Sequence, residues 1–146
     1  PAAVPEPRPG ARELLALDLP KAIVTSAGPD WVRRTAVADV DVLITADDVV
    51  DGKPDPTGFR LACERLGVDP AAAVAVEDSP AGIRAAVAAG VGVVLGVPTT
   101  HAAVDLTSAG ASQVAADLRE VVNWVREVMA RPGLPGSGEA TGDTWD

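Results

Sequence analysis

Two adjacent carboxylates, Glu77 and Asp78, directly follow a short apolar run at residues 71–76. The run is partly β-branched, which is typical of a strand buried on both faces of a parallel sheet. The carboxylates would then lie at the carboxyl end of that strand, where open α/β sheets bind their ligands. Because neighbouring carboxylates repel each other and resist desolvation, they favour a hard cation such as Mg²⁺. The alternative is that Asp78 or Ser79 caps the next helix and Glu77 is solvated.

Two hydroxyl side chains, Thr25 and Ser26, end another predicted strand at residues 21–26. A hydroxyl and unpaired backbone amides at such a strand end can hold an anion near the start of the following helix. The commoner role of such a pair is to satisfy a local turn. Both interpretations stay open from these residues alone.

Lys53 lies in a polar loop between Gly52 and Pro54, so its backbone is constrained. An ammonium group aimed from such a loop can neutralise a phosphoryl group or hold a carboxylate. The alternative is a solvated side chain, which is the usual state of a loop lysine.

Alternating strand and helix patterns predict an α/β fold with a doubly wound parallel sheet. Ser79 and Pro80 indicate the start of a helix, and Gly90 suits its end. The predicted strands are 21–26, 41–45, 71–76, 91–97 and 113–115. The predicted helices are 10–18, 31–38, 57–66, 79–90, a short one capped by 99–101, and 118–129.

The domain organisation follows from composition along the chain. Residues 1–9 contain four prolines and predict an extended lead-in. Residues 10–130 predict one α/β core, and residues 131–146, rich in Pro, Gly, Ser and acids, predict a disordered tail.

The chain is strongly acidic, with 12 Lys and Arg against 21 Asp and Glu and a net charge of -9. No basic cluster interrupts this pattern, so we expect neither nucleic acid nor anionic membranes as partners. Hydrophobic residues make up 47% of the 146 residues and aromatics only 3%, which predicts a core of Ala, Val and Leu. Cys63, on an apolar helical face, indicates packing and not catalysis. No apolar run reaches membrane-spanning length and no secretory signal is present, so the expected location is cytoplasmic.

Three of these signals occur in one order: Thr25, then Lys53 in Gly52-Lys53-Pro54-Asp55-Pro56, then Glu77-Asp78 in Val76-Glu77-Asp78-Ser79-Pro80-Ala81-Gly82-Ile83. In these contexts they resemble the second, third and fourth motifs of the haloacid dehalogenase-like phosphohydrolases. The closest resemblance is to the branch of sugar phosphatases and phosphoglucomutase-like proteins. The segment Thr99-Thr100-His101-Ala102-Ala103 is also similar to that branch, and the resemblance covers about residues 9–121.

The resemblance implies Mg²⁺-dependent hydrolysis of a small phosphate monoester, with a sugar or polyol phosphate as the expected substrate. It implies that Thr25 and Lys53 are catalytic and that both, with Ser26, bind the phosphoryl group. It further implies that Glu77 and Asp78 hold Mg²⁺ directly or through water. This arrangement suits phosphoryl transfer, which depends on positioning and on cations around the equatorial oxygens.

One departure from the family pattern concerns the nucleophile. The family begins with an aspartate-x-aspartate motif at the end of a first, central strand, and nothing before Pro9 resembles it. The helical cap between the first and second motifs has no counterpart either. We therefore expect an incomplete sheet that lacks the strand between those ending at Ser26 and Val76. We also expect no turnover by this chain alone, because the reactive group is missing.

Two other functions stay open. A phosphoglucomutase-like phosphotransferase would use the same motifs, and a non-catalytic fragment or interaction module would suit the missing strand. Unpaired edges on the strands ending at Ser26 and Val76 predict self-association. We expect these residues to be part of a longer parent.

Overall fold

The computed structural model describes residues 8–28 and 40–130, which contain five strands and five helices. The strands are β1 (Ala22–Val24), β2 (Val42–Ile44), β3 (Val74–Glu77), β4 (Val93–Gly96) and β5 (Gln113–Val114). The helices are α1 (Ala11–Leu15), α2 (Thr57–Leu66), α3 (Pro80–Ala88), α4 (Ala103–Ala109) and α5 (Leu118–Met129), with short 3-10 turns at Ala46–Asp48 and Pro70–Ala72.

Several predicted segments lie outside the described residues. They are the helix at 31–38, most of the lead-in at 1–9 and the tail at 131–146. The boundaries of the predicted α/β core, at residues 10 and 130, stay predictions.

The strands form two separate parallel sheets. β1 pairs with β2, and β3, β4 and β5 follow one another in the second sheet. Parallel strands that alternate with helices confirm the predicted doubly wound α/β class. Within the described ranges, no strand pairs with the other edge of β1 or of β3. This gap lies where the sequence predicts an absent strand.

Helix α3 begins as the sequence predicts. The Ser79 side chain accepts a hydrogen bond from the Gly82 amide at 3.0 Å, and Pro80 is the first helical residue. A serine cap satisfies an amide that has no partner inside the helix, and proline has no amide to leave unpaired. Gly90 follows the helix with a φ of 81°, a left-handed conformation that glycine adopts without strain.

Small aliphatic side chains build the core, as the composition predicts. The main cluster contains Phe59, Ala75, Ile83, Ala85, Ala86, Ala89, Val94, Leu106 and Ala111. A second cluster forms around Val121 of α5 and contains Leu95, Val97 and Ala115. Cys63 is buried, and burial raises the pKa of its thiol, in keeping with the predicted packing role.

Strand β3 differs from its prediction in two ways. It begins at Val74 and not at Ala71, because Pro70 starts a 3-10 turn in which the Asp69 side chain accepts from the Ala71 amide at 2.9 Å. It is also less buried than predicted, since Val74 is 50% exposed. The residues of β1 are all only half-buried. In β3, Ala75 and Glu77 are buried, whereas Val74 is exposed and Val76 is half-buried. The expectation of burial on both faces was therefore wrong.

Helix α4 begins later than predicted. Its N-cap position is Ala102, which makes no side-chain capping bond, so residues 99–101 do not cap it. The Thr99 hydroxyl instead donates to Asp78 Oδ2 at 3.2 Å. Thr99, which was predicted to help cap α4, therefore binds the carboxylate that follows β3.

Among the helices of the described ranges, none is both long enough and apolar enough to cross a membrane. The cytoplasmic location stays a prediction.

We propose that the edges of β1 and β3 that face the gap pair with strands of a second copy of the chain. Neither Ala22–Val24 nor Val74–Val76 holds the charged residues or prolines that protect edge strands. The amides of these strands that face the gap, and not β2 or β4, are expected to exchange rapidly in a dilute monomeric sample and to become protected as association increases with concentration. Hydrogen exchange combined with light scattering measures both. Protection of the gap-facing amides of both strands in a demonstrably monomeric sample would contradict this.

Candidate functional site

The side chain of Lys53 occupies the gap between the two sheets. Its Nζ donates to the carbonyl oxygen of Val24 in β1 at 2.9 Å and forms an ion pair with Oε1 of Glu77 in β3. It also lies 5.4 Å from the centre of the Phe59 ring, within the range of a cation–π contact. The side chain is only 16% exposed. The interpretation of Lys53 as a solvated loop lysine is therefore wrong.

The loop that carries Lys53 is fixed by hydrogen bonds at both ends. At its start, Thr45 and Asp48 form a reciprocal capping box, in which the Thr45 amide donates to Asp48 Oδ2 at 2.7 Å. At its end, the Asp55 carboxylate accepts from both the amide and the hydroxyl of Thr57. These bonds hold the pKa values of Asp48 and Asp55 below the usual value for aspartate. The polar residues around Lys53 thus give the loop a defined course.

Thr25 and Ser26 follow β1 and line a cavity of about 190 Å³ together with Lys53. Thr25 Oγ1 accepts from the Ala27 amide at 3.0 Å, so the turn interpretation of this residue is correct. A hydroxyl oxygen that accepts such a bond can still donate its own proton. The other residues around this cavity come from the strand ends, from the loop and from α2, and include Ile44, Val49, Val50, Asp51, Gly52 and Phe59.

Glu77 is buried at the end of β3, with its side chain 8% exposed. Burial raises the pKa of this carboxyl, while the nearby charge and hydrogen bond of Lys53 act in the opposite direction and offset only part of the rise. The adjacent Asp78 carboxylate adds to the rise. The interpretation of Glu77 as a solvated side chain is wrong.

Asp78 points to a different part of the molecule. It is exposed, and with Glu77 and Thr99 it lines a second cavity, also of about 190 Å³. The structure thus places Thr25 and Ser26 at one cavity and Asp78 at another. The Lys53–Glu77 ion pair connects the two, because Lys53 lines the first and Glu77 the second.

The sequence did not point to three contacts in this region. The Val24 carbonyl binds Lys53 because nothing in the described ranges pairs with that edge of β1. Phe59 reaches Lys53 from α2, and Thr99 reaches Asp78 because β4 is the neighbour of β3.

Glu77 and Asp78 can supply part of a metal site. Within the described ranges, no three His, Cys, Asp or Glu side chains come together in a way that could hold an ion. Two carboxylates at one strand end still suit Mg²⁺, which takes oxygen ligands and usually keeps several waters. The residues therefore fit Mg²⁺ as contributors of one or two oxygens. Their role as metal ligands, like that of Thr25, Ser26 and Lys53 in phosphate binding, stays a prediction.

The described strands are parallel, and polar groups gather near their carboxyl ends: a lysine–carboxylate pair, hydroxyls and a further carboxylate. This arrangement defines a Rossmann-like α/β domain with a polar site. The chain belongs to the haloacid dehalogenase-like hydrolases, whose family model matches residues 2–90. This confirms the family that the sequence motifs resemble.

Three related proteins illustrate the match. Validoxylamine A 7'-phosphate phosphatase of Streptomyces hygroscopicus subsp. limoneus is 46% identical over 121 residues, covering 77% of this chain and 55% of that protein. The phosphorylated carbohydrates phosphatase of Thermotoga maritima is 34% identical over 133 residues, covering 83% and 60%. The crystal structure of CbbY from Rhodobacter sphaeroides in complex with phosphate has a TM-score of 0.69 at 32% identity, covering 78% and 55%. The chain thus spans between 55% and 60% of the length of these proteins.

Replacing Lys53 with methionine is expected to destabilise the chain by about 3 kcal/mol at pH 7, because it leaves Glu77 buried without its cation. Lys53→Met combined with Glu77→Gln is expected to recover most of that loss, since no buried charge is then unpaired. Urea unfolding of the two variants measures the difference. Arg126→Met, which removes an exposed cation on α5, is the control. A loss of less than about 1 kcal/mol for Lys53→Met would show that the pair behaves as an exposed one.

Proposed function

We propose that this chain supplies the phosphate-binding part of a phosphatase that acts on small phosphate monoesters of the sugar or polyol class. The observation that carries this proposal is the position of the Lys53 ammonium group. It is held at the end of β1, beside Thr25 and Ser26, and in contact with Glu77. The names of two relatives, a validoxylamine A 7'-phosphate phosphatase and a phosphorylated carbohydrates phosphatase, support the substrate class.

The cavity beside Lys53 suits a phosphoryl group by charge and by donors. An ammonium has three N–H donors. In the described part of the chain, one of them bonds Val24 and one bonds Glu77, which leaves the third for a phosphoryl oxygen. Thr25 and Ser26 would add hydroxyl donors from the same wall of the cavity. Because the chain as a whole carries a net charge of -9, this local cation matters for attracting a phosphate dianion.

Glu77 and Asp78 would hold Mg²⁺, directly or through water. The ion when bound would supply further positive charge to the equatorial oxygens of the phosphoryl group. Thr99 would orient Asp78 through its hydroxyl, which donates to Oδ2. The charge and hydrogen bond of Lys53 lower the pKa of Glu77 and so oppose part of the effect of burial.

The covalent route of phosphoryl transfer needs a nucleophile in line with the ester. In the described ranges, Glu77 is the carboxylate that pairs with Lys53, and its burial raises its pKa. It is fixed by the lysine and is a poor candidate for attack. We propose that the 146-residue chain binds phosphate esters without turning them over, with no nucleophile assigned among the described residues.

Lys53→Met is expected to weaken binding of inorganic phosphate by about tenfold or more, since a hydrogen bond from a charged donor is worth about 1.5–3 kcal/mol. Thr25→Val is expected to weaken it less, because a neutral hydroxyl contributes about 0.5–1.5 kcal/mol. Isothermal titration of the purified chain measures both effects. Arg126→Met removes the same charge from an exposed site on α5 and is the matched control.

Equal losses for Lys53→Met and Arg126→Met would contradict a defined phosphate site. Release of phosphate from p-nitrophenyl phosphate by the wild-type chain, dependent on Lys53 and Glu77, would show that the nucleophile lies within these residues. Transfer of the phosphoryl group between two positions of a sugar phosphate would favour a phosphotransferase of the mutase type.

Mg²⁺ is expected to bind weakly, and Asp78→Asn is expected to weaken binding further. Mg²⁺ gives up its water shell reluctantly where few anionic oxygens replace it, and the site offers two carboxylates of which one is ion-paired. Calorimetric titration of the chain after chelator treatment tests this. Asp105→Asn on the exposed surface of α4 is the control for loss of a single negative charge. Tight binding that is unaffected by Asp78→Asn would remove the metal assignment.

A further inference from the structure

Gly82 lies in the first turn of α3 and is buried, five residues after Glu77. Glycine is among the poorest helix formers, because the helix restricts it more than any other residue. Its neighbours in the same helix include three alanines that are among the best formers, Ala81, Ala85 and Ala86. A buried glycine at this position therefore calls for a reason in the packing.

The reason is the carboxyl group of Glu77, which lies directly against the Gly82 backbone. A Cβ atom placed on Gly82 would lie 2.8 Å from Oε1 of Glu77 and closer still to Oε2 and Cδ. Real Cβ atoms essentially never come within 3.0 Å of another heavy atom. These three Glu77 atoms are the nearest that such a Cβ would meet.

The backbone at Gly82 has little room to move away. Its amide donates to the Ser79 side chain at 3.0 Å, which is the cap of the helix. The next residue, Ile83, is 0% exposed in the main core. Of the two partners, the Glu77 side chain is therefore the one that would shift, and its Oε1 is the atom that pairs with Lys53.

We propose that Gly82 is a positioning residue for Glu77. The missing side chain leaves a space on the first turn of α3 into which the Glu77 carboxylate fits, and this space sets the point at which Lys53 is held. The consequence for phosphate binding rests on the function proposed above, whereas the positioning of Glu77 does not.

The test compares Gly82→Ala in two backgrounds by urea unfolding, without phosphate or metal. In the wild-type chain, Gly82→Ala is expected to raise the unfolding constant by about tenfold, because it displaces Glu77 from Lys53. In a Glu77→Ala background the space is empty. There, Gly82→Ala is expected to lower the unfolding constant by about fivefold, as the higher helix propensity of alanine predicts.

Two controls separate this effect from a general change in the helix. Ala88→Gly alters helix propensity at the exposed end of α3 and is expected to have the same effect in both backgrounds. If Glu77→Ala does not fold, Glu77→Ala with Lys53→Met is the background, since it leaves no unpaired buried charge.

Reversal of the sign of the Gly82→Ala effect when Glu77 is truncated supports the proposal, as does an unfolded Gly82→Ala chain that folds once Glu77 is removed. The same effect of Gly82→Ala in both backgrounds, or a failure to fold in both, overturns it.

Titration with inorganic phosphate then addresses the function separately. Gly82→Ala is expected to weaken phosphate binding by about tenfold, the loss expected for Lys53→Met. Reversal of sign in the unfolding experiment together with no phosphate binding by the wild-type chain would leave Gly82 as a positioning residue and reject the proposed function.

Discussion

The ammonium group of Lys53 connects two parallel sheets that share no backbone hydrogen bond in the described ranges. One sheet provides the Val24 carbonyl, and the other provides the Glu77 carboxylate. The main hydrophobic cluster also joins the sheets, because Val24 of β1 and Phe59 of α2 pack with residues of β3, β4 and α3. The Lys53 contact adds a local electrostatic connection to this packing. The distribution of charge between Lys53 and Glu77 at the candidate site depends on this contact.

The cost of this arrangement falls on Glu77. A carboxylate that is 8% exposed loses most of its hydration, and burial raises its pKa despite the nearby cation. The pair is retained with the help of a constrained loop around Lys53 and of an open space at Gly82 for the Glu77 side chain. Such a desolvated pair is strong only while its geometry is kept, because misplacing either partner leaves a charge buried alone.

Membership of the haloacid dehalogenase-like hydrolases gives this arrangement a chemical context. Two relatives carry names of phosphatases, and a related structure contains phosphate. The described strands leave a gap beside Lys53, and two cavities open on either side of the Lys53–Glu77 pair. The Lys53–Glu77 pair lies where the two cavities approach each other, so its charges are in place for a reaction that depends on electrostatics.

The sequence by itself determined the α/β class, the start of α3 and the order of the polar motifs. These are local properties: the Ser79-Pro80 start of α3, the apolar strands and the glycine at position 90 all act within a few residues. It also placed Thr25, Ser26, Lys53, Glu77 and Asp78 at strand ends or in a fixed loop.

Only the tertiary structure decided which of them meet. Lys53 and Glu77 are 24 residues apart, and whether the lysine is solvated or paired depends on two sheets lying side by side. The division of the site into two cavities and the use of Thr99 to orient Asp78 have the same cause, since strand adjacency is a long-range property. The role of Gly82 depends on the position of one carboxylate, and no pattern along the chain encodes the space between a glycine and a side chain that folds back onto it.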